Sequence, residues 1–507
     1  MHIAKDLYDF RAREVEIAGT DKGDHFDLIS YPNGDLRVKL FDANKEGEAK
    51  GKARYERHFY ESETDEIIIY ALDGDDTFDF SGEGKSKIKV RLVGGPGKDR
   101  VTAPEGHRES RISFYDYTQE IEKSDLGEIG GLRDRRSIHP RYNTYSRLSL
   151  DKNYNFFSFL PVAGINPDNG LLLGAGGTYT TYGFKKEPFA TQHTINGQYA
   201  FATGGGRFDY RGEFTDVFGE NELVFAGAFR SAFYGVNFYG LGNDTENTEA
   251  INGDDYHRVR QELISIAPSI ARRLDGASII HFGPEYTSIT TNRTEGRFLA
   301  DNFEDPEGSG IFDNFQFLSL KAKFSFDNRN SSAQPTKGLT FFAEIGNSWS
   351  LQANATDVAH LKTSMSITQQ LDKNGTLVVA NRLGFSTLFT DDFQYFQAAT
   401  LGGVGPDANL RGYRRERFSG RTAFYMNNDI RLRLINAKRR LIPFSLGLVG
   451  GFDFGRVWQP GEESSTWHYA AGGGIWVSPL DIVTLQFSIF RGNNGVSRPV
   501  AGASFFF

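Results

Sequence analysis

The chain has 507 residues, a net charge of −8, no cysteine, a mean hydropathy of −0.45, and 44 Phe, 22 Tyr and 57 Gly. No stretch holds the roughly eighteen consecutive apolar residues of a membrane-crossing helix, since even the run Ile67 to Leu72 stops at Asp73. Helical membrane insertion is thereby excluded and nucleic-acid binding is unsupported, whereas a barrel, in which only alternate residues face lipid, keeps a low mean hydropathy and uses aromatics heavily.

The chain opens Met1-His2-Ile3-Ala4-Lys5 without an apolar leader segment, so it is expected to be mature, trimmed, or the C-terminal part of something longer. The lack of Cys suits an oxidising periplasm and a cytosol alike. Residues 1–125 predict a small β-rich domain: Asp35 to Leu40, Glu66 to Tyr70 and Lys87 to Leu92 alternate or run apolar between Gly and Asp clusters.

Three turns there resemble one another, Gly23-Asp24-His25-Phe26, Gly74-Asp75-Asp76-Thr77-Phe78 and Gly94-Gly95-Pro96-Gly97-Lys98-Asp99-Arg100-Val101, and the last fits a calcium-binding nonapeptide. Such sites need adjacent nonapeptides, yet Asp24, Asp76 and Asp99 lie 52 and 23 residues apart in the chain. The expectation is structural Gly-Asp turns and no metal, with Asp76 and Asp99 as weak calcium candidates. Residues 126–155, with Gly130-Gly131 and Arg133, Arg135 and Arg136, predict a linker or a plug entering a barrel.

From Asn155 onward the pattern changes to segments of one apolar and one polar parity. Between Arg207 and Thr215, Phe208, Tyr210 and Phe214 take one face and Arg207, Asp209, Arg211 and Glu213 the other. Leu318, Leu320, Ala322, Phe324 and Phe326 likewise alternate with Ser319, Lys321, Lys323 and Ser325. A soluble sandwich alternates too, but seldom with this many long segments.

Sixteen strands are predicted near 156–163, 171–182, 191–201, 205–215, 221–232, 257–270, 277–290, 314–327, 338–350, 358–371, 375–388, 421–436, 442–458, 467–478, 480–491 and 499–507. With the N-terminus in the periplasm, Asp372 to Gly375 and Ser478 to Asp481 fall at short periplasmic turns and 233–256, 291–313 and 389–420 at external loops. The fold class is therefore all-β, a sixteen-stranded antiparallel transmembrane barrel over 156–507 preceded by the β-rich domain.

Four segments carry a family resemblance: Leu401 to Tyr413 with its Arg411-Gly412-Tyr413, Gly451 to Trp458 with Phe452-Asp453-Phe454-Gly455, Asp327-Asn328-Arg329 with Pro335-Thr336-Lys337-Gly338, and Asn237 to Asn243. In this order, inside sixteen strands, they resemble the bacterial surface antigen superfamily of BamA, TamA and FhaC-type barrels. The resemblance implies assembly of outer-membrane proteins or translocation of polypeptides, and places Arg411 on a sixth external loop folded into the lumen.

An arginine fork anchored on a carboxylate suits that loop. Parity puts Asp453 on the inner face of strand thirteen, and Asp429 shares a face of strand twelve with Asn427, Arg431 and Arg433. Asp453 is the favoured partner and Asp429 the second. Gly412 permits a tight turn at the loop tip and Tyr413 packs on the lumen wall. Phe452 and Gly455 belong to the strand-thirteen motif, and Phe505 and Phe507 to a terminal signal resembling that read by barrel-assembly machinery. In such barrels the seam between first and last strands is weak, here between Phe156 to Leu160 and the strand ending at Phe507.

The match departs in front of the barrel, where the family carries POTRA domains of mixed helix and strand and this chain has no helical periodicity. That β-rich region resembles linker domains of Bacteroidetes members with an upstream calcineurin-like phosphoesterase, for which no motif is present in these residues. Partners implied are outer-membrane lipids, unfolded polypeptide clients and periplasmic accessory proteins, with no cofactor. The competing functions are a passive or gated pore for small solutes and an anchor for a lost phosphoesterase. Catalysis is not expected, because His25 and His107 stand near acidic residues without metal-ligand spacing.

Overall fold

The computed structural model describes residues 8, 10–109, 111–117, 129–137, 140–145, 153–303, 310–352, 355–403, 409–437, 443–505 and 507, apart from the side chains of Pro140 and Leu160. Two compact units divide the chain, Met1–Asn153 and Tyr154–Phe507.

The first unit is built by a chain that winds between two sheets. One sheet is parallel throughout, Glu14–Ala18, Glu66–Tyr70, Lys89–Val93, Ile112–Tyr115 and Arg133–Asp134 in spatial order. In the other, Asp24–Ser30, Thr77–Ser81 and Arg100–Thr102 run parallel, and Leu36–Ala43 and Ala49–Phe59 add an antiparallel extension beside Asp24–Ser30. Alternation turns Phe26, Leu28, Phe78, Phe80, Leu92 and Phe114 into a core between the sheets. The described residues of 126–153 belong to this unit, with Ile129 in its core, and 154–155 to the second; residues 126–128, 138–139 and 146–152 lie outside the described residues.

The sequence spacing of the three Gly-Asp turns conceals their proximity. Parallel pairing sets Glu14 opposite Glu66 and Glu66 opposite Lys89, so the turns stack. The Asp24 amide donates to Asp76 Oδ1 at 2.7 Å and the Asp76 amide to Asp99 Oδ1 at 2.9 Å.

The second unit is a closed antiparallel barrel of sixteen strands. Numbered one to sixteen, they are Phe156–Asn166, Gly170–Thr181, Thr191–Ala200, Gly205–Phe218, Asn221–Arg230, Arg258–Arg273, Ser278–Asn292, Asn314–Asp327, Lys337–Ser350, Val358–Gln370, Leu377–Leu388, Thr422–Ala437, Phe444–Trp458, His468–Pro479, Leu485–Gly492 and Ser497–Gly502. A two-residue piece, Val236–Asn237, pairs beside the start of strand six.

Outward positions carry large apolar side chains, among them Phe208 at 45% exposure, Ile430 at 58% and Phe452 at 45%. Their parity partners face a polar interior, as barrel alternation in lipid requires. The three longest connections, 231–257, 293–313 and 389–421, share one rim, and strand one starts from the other.

Closure is uneven. Strands twelve and thirteen pair along their length, from Thr422 with Trp458 to Ala437 with Phe444. Strands one and sixteen meet, among the described residues, at the single pair Ile165 with Ala501. Strand sixteen ends at Gly502, short of the predicted Phe507. Arg431 donates to the Phe507 carbonyl at 2.7 Å and lies 4.0 Å over the Phe505 ring, which draws the last residues inward and off the strand line. Phe506 lies outside the described residues.

Candidate functional site

The loop between strands eleven and twelve, loop six in order along the barrel, supplies the most completely buried cation. A short ribbon of Ala399–Leu401 and Phe418–Gly420 carries the chain in and out of the lumen, with Ala399, Leu401, Leu410, Tyr413 and Phe418 packed on Ala423, Val457 and Ala470 of the wall. Residues 404–408 of the predicted signature lie outside the described residues.

At its tip Arg411 has no exposed surface. Its Nε donates to Asp453 Oδ2 at 2.8 Å and its Nη2 to Asp453 Oδ1 at 2.6 Å, the parallel fork that fits a carboxylate. The Arg411 amide also donates to Asp453 Oδ2 at 3.0 Å. Its Nη1 reaches Asp429 Oδ1 at 2.8 Å. Five guanidinium donors can serve two carboxylates at once, so Asp453 and Asp429 act together and not as alternatives.

Both acids are fully buried. Burial works against the Arg411 charge, and the Asp429 and Asp453 carboxylates more than offset it, so the guanidinium's pKa is raised. Phe490 lies 4.0 Å from the guanidinium carbon and covers its face. Strand thirteen makes room for this cluster with Gly451, where a Cβ would stand 2.7 Å from Arg411 Nη2 and from Asp429 Oδ1.

The neighbouring predicted residues fix the tip from both sides. Gly412 has φ +86°, and a Cβ there would stand 3.0 Å from the Ala470 Cβ and the Gly492 amide. The Tyr413 hydroxyl lies 3.1 Å from the Tyr469 carbonyl and accepts the Asn493 amide at 3.1 Å. Asn427 donates to the Asn409 carbonyl at 2.9 Å. Phe452 faces outward, 45% exposed, whereas Gly455 faces in, where a Cβ would approach Leu401 at 3.2 Å. Phe505 packs on Trp476 with ring centres 5.5 Å apart.

Sequence reasoning left out a second tier of anchors. Arg414 pairs with Glu249 at 2.7 Å and donates to the Pro167 carbonyl at 2.7 Å. The Arg415 amide donates to Asp168 at 3.1 Å, and Arg417 donates to the Thr245 carbonyl at 2.6 Å. Asn237 joins Asp168 at 2.8 Å to the Arg415 carbonyl at 3.0 Å. The segment Asn237 to Asn243 therefore clasps loop six. The run Arg414-Arg415-Glu416-Arg417 was the one available signal for this tier.

The calcium candidates sit in the first unit. Asp76 and Asp99 are 1% exposed. Each accepts a backbone amide from the turn stacked against it. Burial first, then the charges of Asp116 and Asp76, raises the Asp99 carboxyl far above its ordinary range; burial first, then the charge of Asp24, does the same for Asp76.

Residues 224–489 match the profile of the Omp85 superfamily domain. Among solved structures, BamA from Haemophilus ducreyi lacking POTRA domains 1-3 is similar at 15% identity and a TM-score of 0.49, over 71% of this chain and 74% of that one. CdiB from Escherichia coli is similar at 10% identity and a TM-score of 0.46, over 70% of this chain and 64% of that one. CdiB from Acinetobacter baumannii follows at 13% identity and 0.42, over 69% and 59%. No curated protein sequence matches the chain.

Proposed function

The chain belongs to the Omp85 superfamily, and on that premise we propose that it acts on polypeptide clients at the outer membrane, in barrel assembly or translocation. The observation that carries this reading is the seam. Every strand junction around the barrel pairs over many residues except that of strands one and sixteen, held among the described residues by Ile165 and Ala501. Each missing pair is a backbone donor and acceptor left for another strand to satisfy, which is what an incoming extended chain offers.

Loop six closes the axial route in this reading. Arg411, bound to Asp429 and Asp453, braces the loop in the lumen, and Tyr413 and the Arg414 to Arg417 tier hold its flanks. Strand one starts at the rim opposite the long loops, which supports a periplasmic position for the first unit in this reading. The braced loop favours client handling over a passive pore for small solutes.

Depletion of the protein with proteomics of the outer membrane tests the reading. Loss of barrel proteins, or of secreted polypeptides, is the expected outcome. An unchanged outer membrane, together with persistent open conductance of the purified chain in planar bilayers, would establish the pore instead.

A further inference from the structure

The outer face of the first unit's second sheet carries a group unrelated to the barrel. His25 and Asp27 stand two apart on Asp24–Ser30 and so share a face, while Phe26 and Leu28 turn into the core. Parallel register sets Asp79 beside Asp27, 52 residues on in the chain, and Thr102 beside Asp79. One ligand atom from each of His25, Asp27 and Asp79 lies within 4.8 Å of the others.

The histidine is held from outside the group. Its Nδ1 lies 2.8 Å from the Gly47 carbonyl, which can only accept, so Nδ1 carries the proton. The ring's Nε2 points at Asp27 Oδ1, 2.9 Å away, with the Asp79 carboxylate converging on the same place. The His25 residue is 8% exposed. Lys39 stands in register with Asp27 on the adjacent strand.

We propose that His25, Asp27 and Asp79 bind a divalent first-row transition ion, with water completing its shell. An Nδ1–H held by a backbone carbonyl is the support that a metal-bound imidazole ordinarily has. The Thr102 hydroxyl, donating to Asp79 Oδ1 at 2.6 Å, does the same for a carboxylate. One imidazole nitrogen with two carboxylates selects zinc or manganese over calcium, which takes oxygen alone. The ion would bridge two strands of adjacent windings and fasten the Gly47 turn over them.

The test uses the full chain in detergent micelles, stripped with a chelator and dialysed against Zn²⁺ with elemental analysis. One Zn²⁺ per chain is expected, not displaced by Ca²⁺, lost in His25→Ala and in Asp79→Asn, and held about tenfold to a hundredfold more weakly in Thr102→Val. X-ray absorption of the loaded parent protein is expected to show one imidazole and otherwise oxygen ligands, and it does not depend on any variant folding. No stoichiometric uptake, equal uptake by the variants, or a spectrum with two or more imidazoles would overturn the proposal.

Discussion

Replacing Arg411 by alanine removes the centre of the loop-six anchor and leaves Asp429 and Asp453 facing each other with no exposed surface. Breaking a buried pair from one side costs about 3 to 5 kcal/mol, because the remaining charge stays desolvated. The face covered by Phe490 at 4.0 Å is emptied as well. A loss of that size raises the population of undocked loop on the order of a hundredfold to a few thousandfold. Hydrogen exchange in micelles reads it directly: the amides of Leu401, Leu410 and Phe418 should exchange faster by that factor, while strands six to ten keep the parent's protection. Adding Asp453→Asn should recover part of the loss, since one of the two stranded charges is gone. Unchanged exchange in the single variant would refute the bracing role.

The other predictions are smaller or local. Gly451→Ala puts a methyl 2.7 Å from Arg411 Nη2 and 2.9 Å from the Phe490 ring, and the same exchange experiment should show loop six loosened with every charge retained. Tyr413→Phe removes the hydroxyl beside the Tyr469 carbonyl and the Asn493 amide, and should cost loop docking about 1 kcal/mol. In the first unit Asp99 holds its proton far above the ordinary carboxylate value, burial being the first cause and the charge of Asp116 the second. The folded state therefore binds more protons than the unfolded one above that value. The resulting stability is complete in acid and fades as pH rises toward the folded value. The thermal midpoint of this unit should fall from about pH 5 to about pH 8, and Asp99→Asn, which keeps the acceptor for the Asp76 amide, should flatten the slope.

The barrel was legible because its code is local. A strand period of two is written in successive residues, so the inward face of Asp453 in strand thirteen and of Asp429 in strand twelve can be read without knowing any neighbour. The same code misleads where the ladder slips. A bulge between Arg433 and Ile435 breaks the alternation of strand twelve, and Leu434 and Ile435 both end up exposed.

What stayed hidden depends on register between distant segments. The nearness of Asp24, Asp76 and Asp99, and of Asp27 and Asp79, comes from parallel pairing across windings of unequal length, the longer one holding the inserted hairpin Leu36–Phe59. No spacing rule shows it. The bonds of Arg414 to Glu249 and of Asn237 to Asp168 join connections far apart in the chain, where neither period nor parity applies. The turn of Phe505 and Phe507 away from strand sixteen answers to Arg431, which sequence order places some seventy residues earlier.

Locking the seam tests the central claim most directly. Ile165→Cys with Ala501→Cys joins the one residue pair that closes the barrel among the described residues, at a cross-strand separation a disulfide can span. The variant is to be the sole copy in cells, with the outer-membrane proteome compared under oxidising and reducing conditions. The account predicts that the oxidised form fails to sustain its clients and that reduction restores them. Full client levels with the seam quantitatively cross-linked would contradict it.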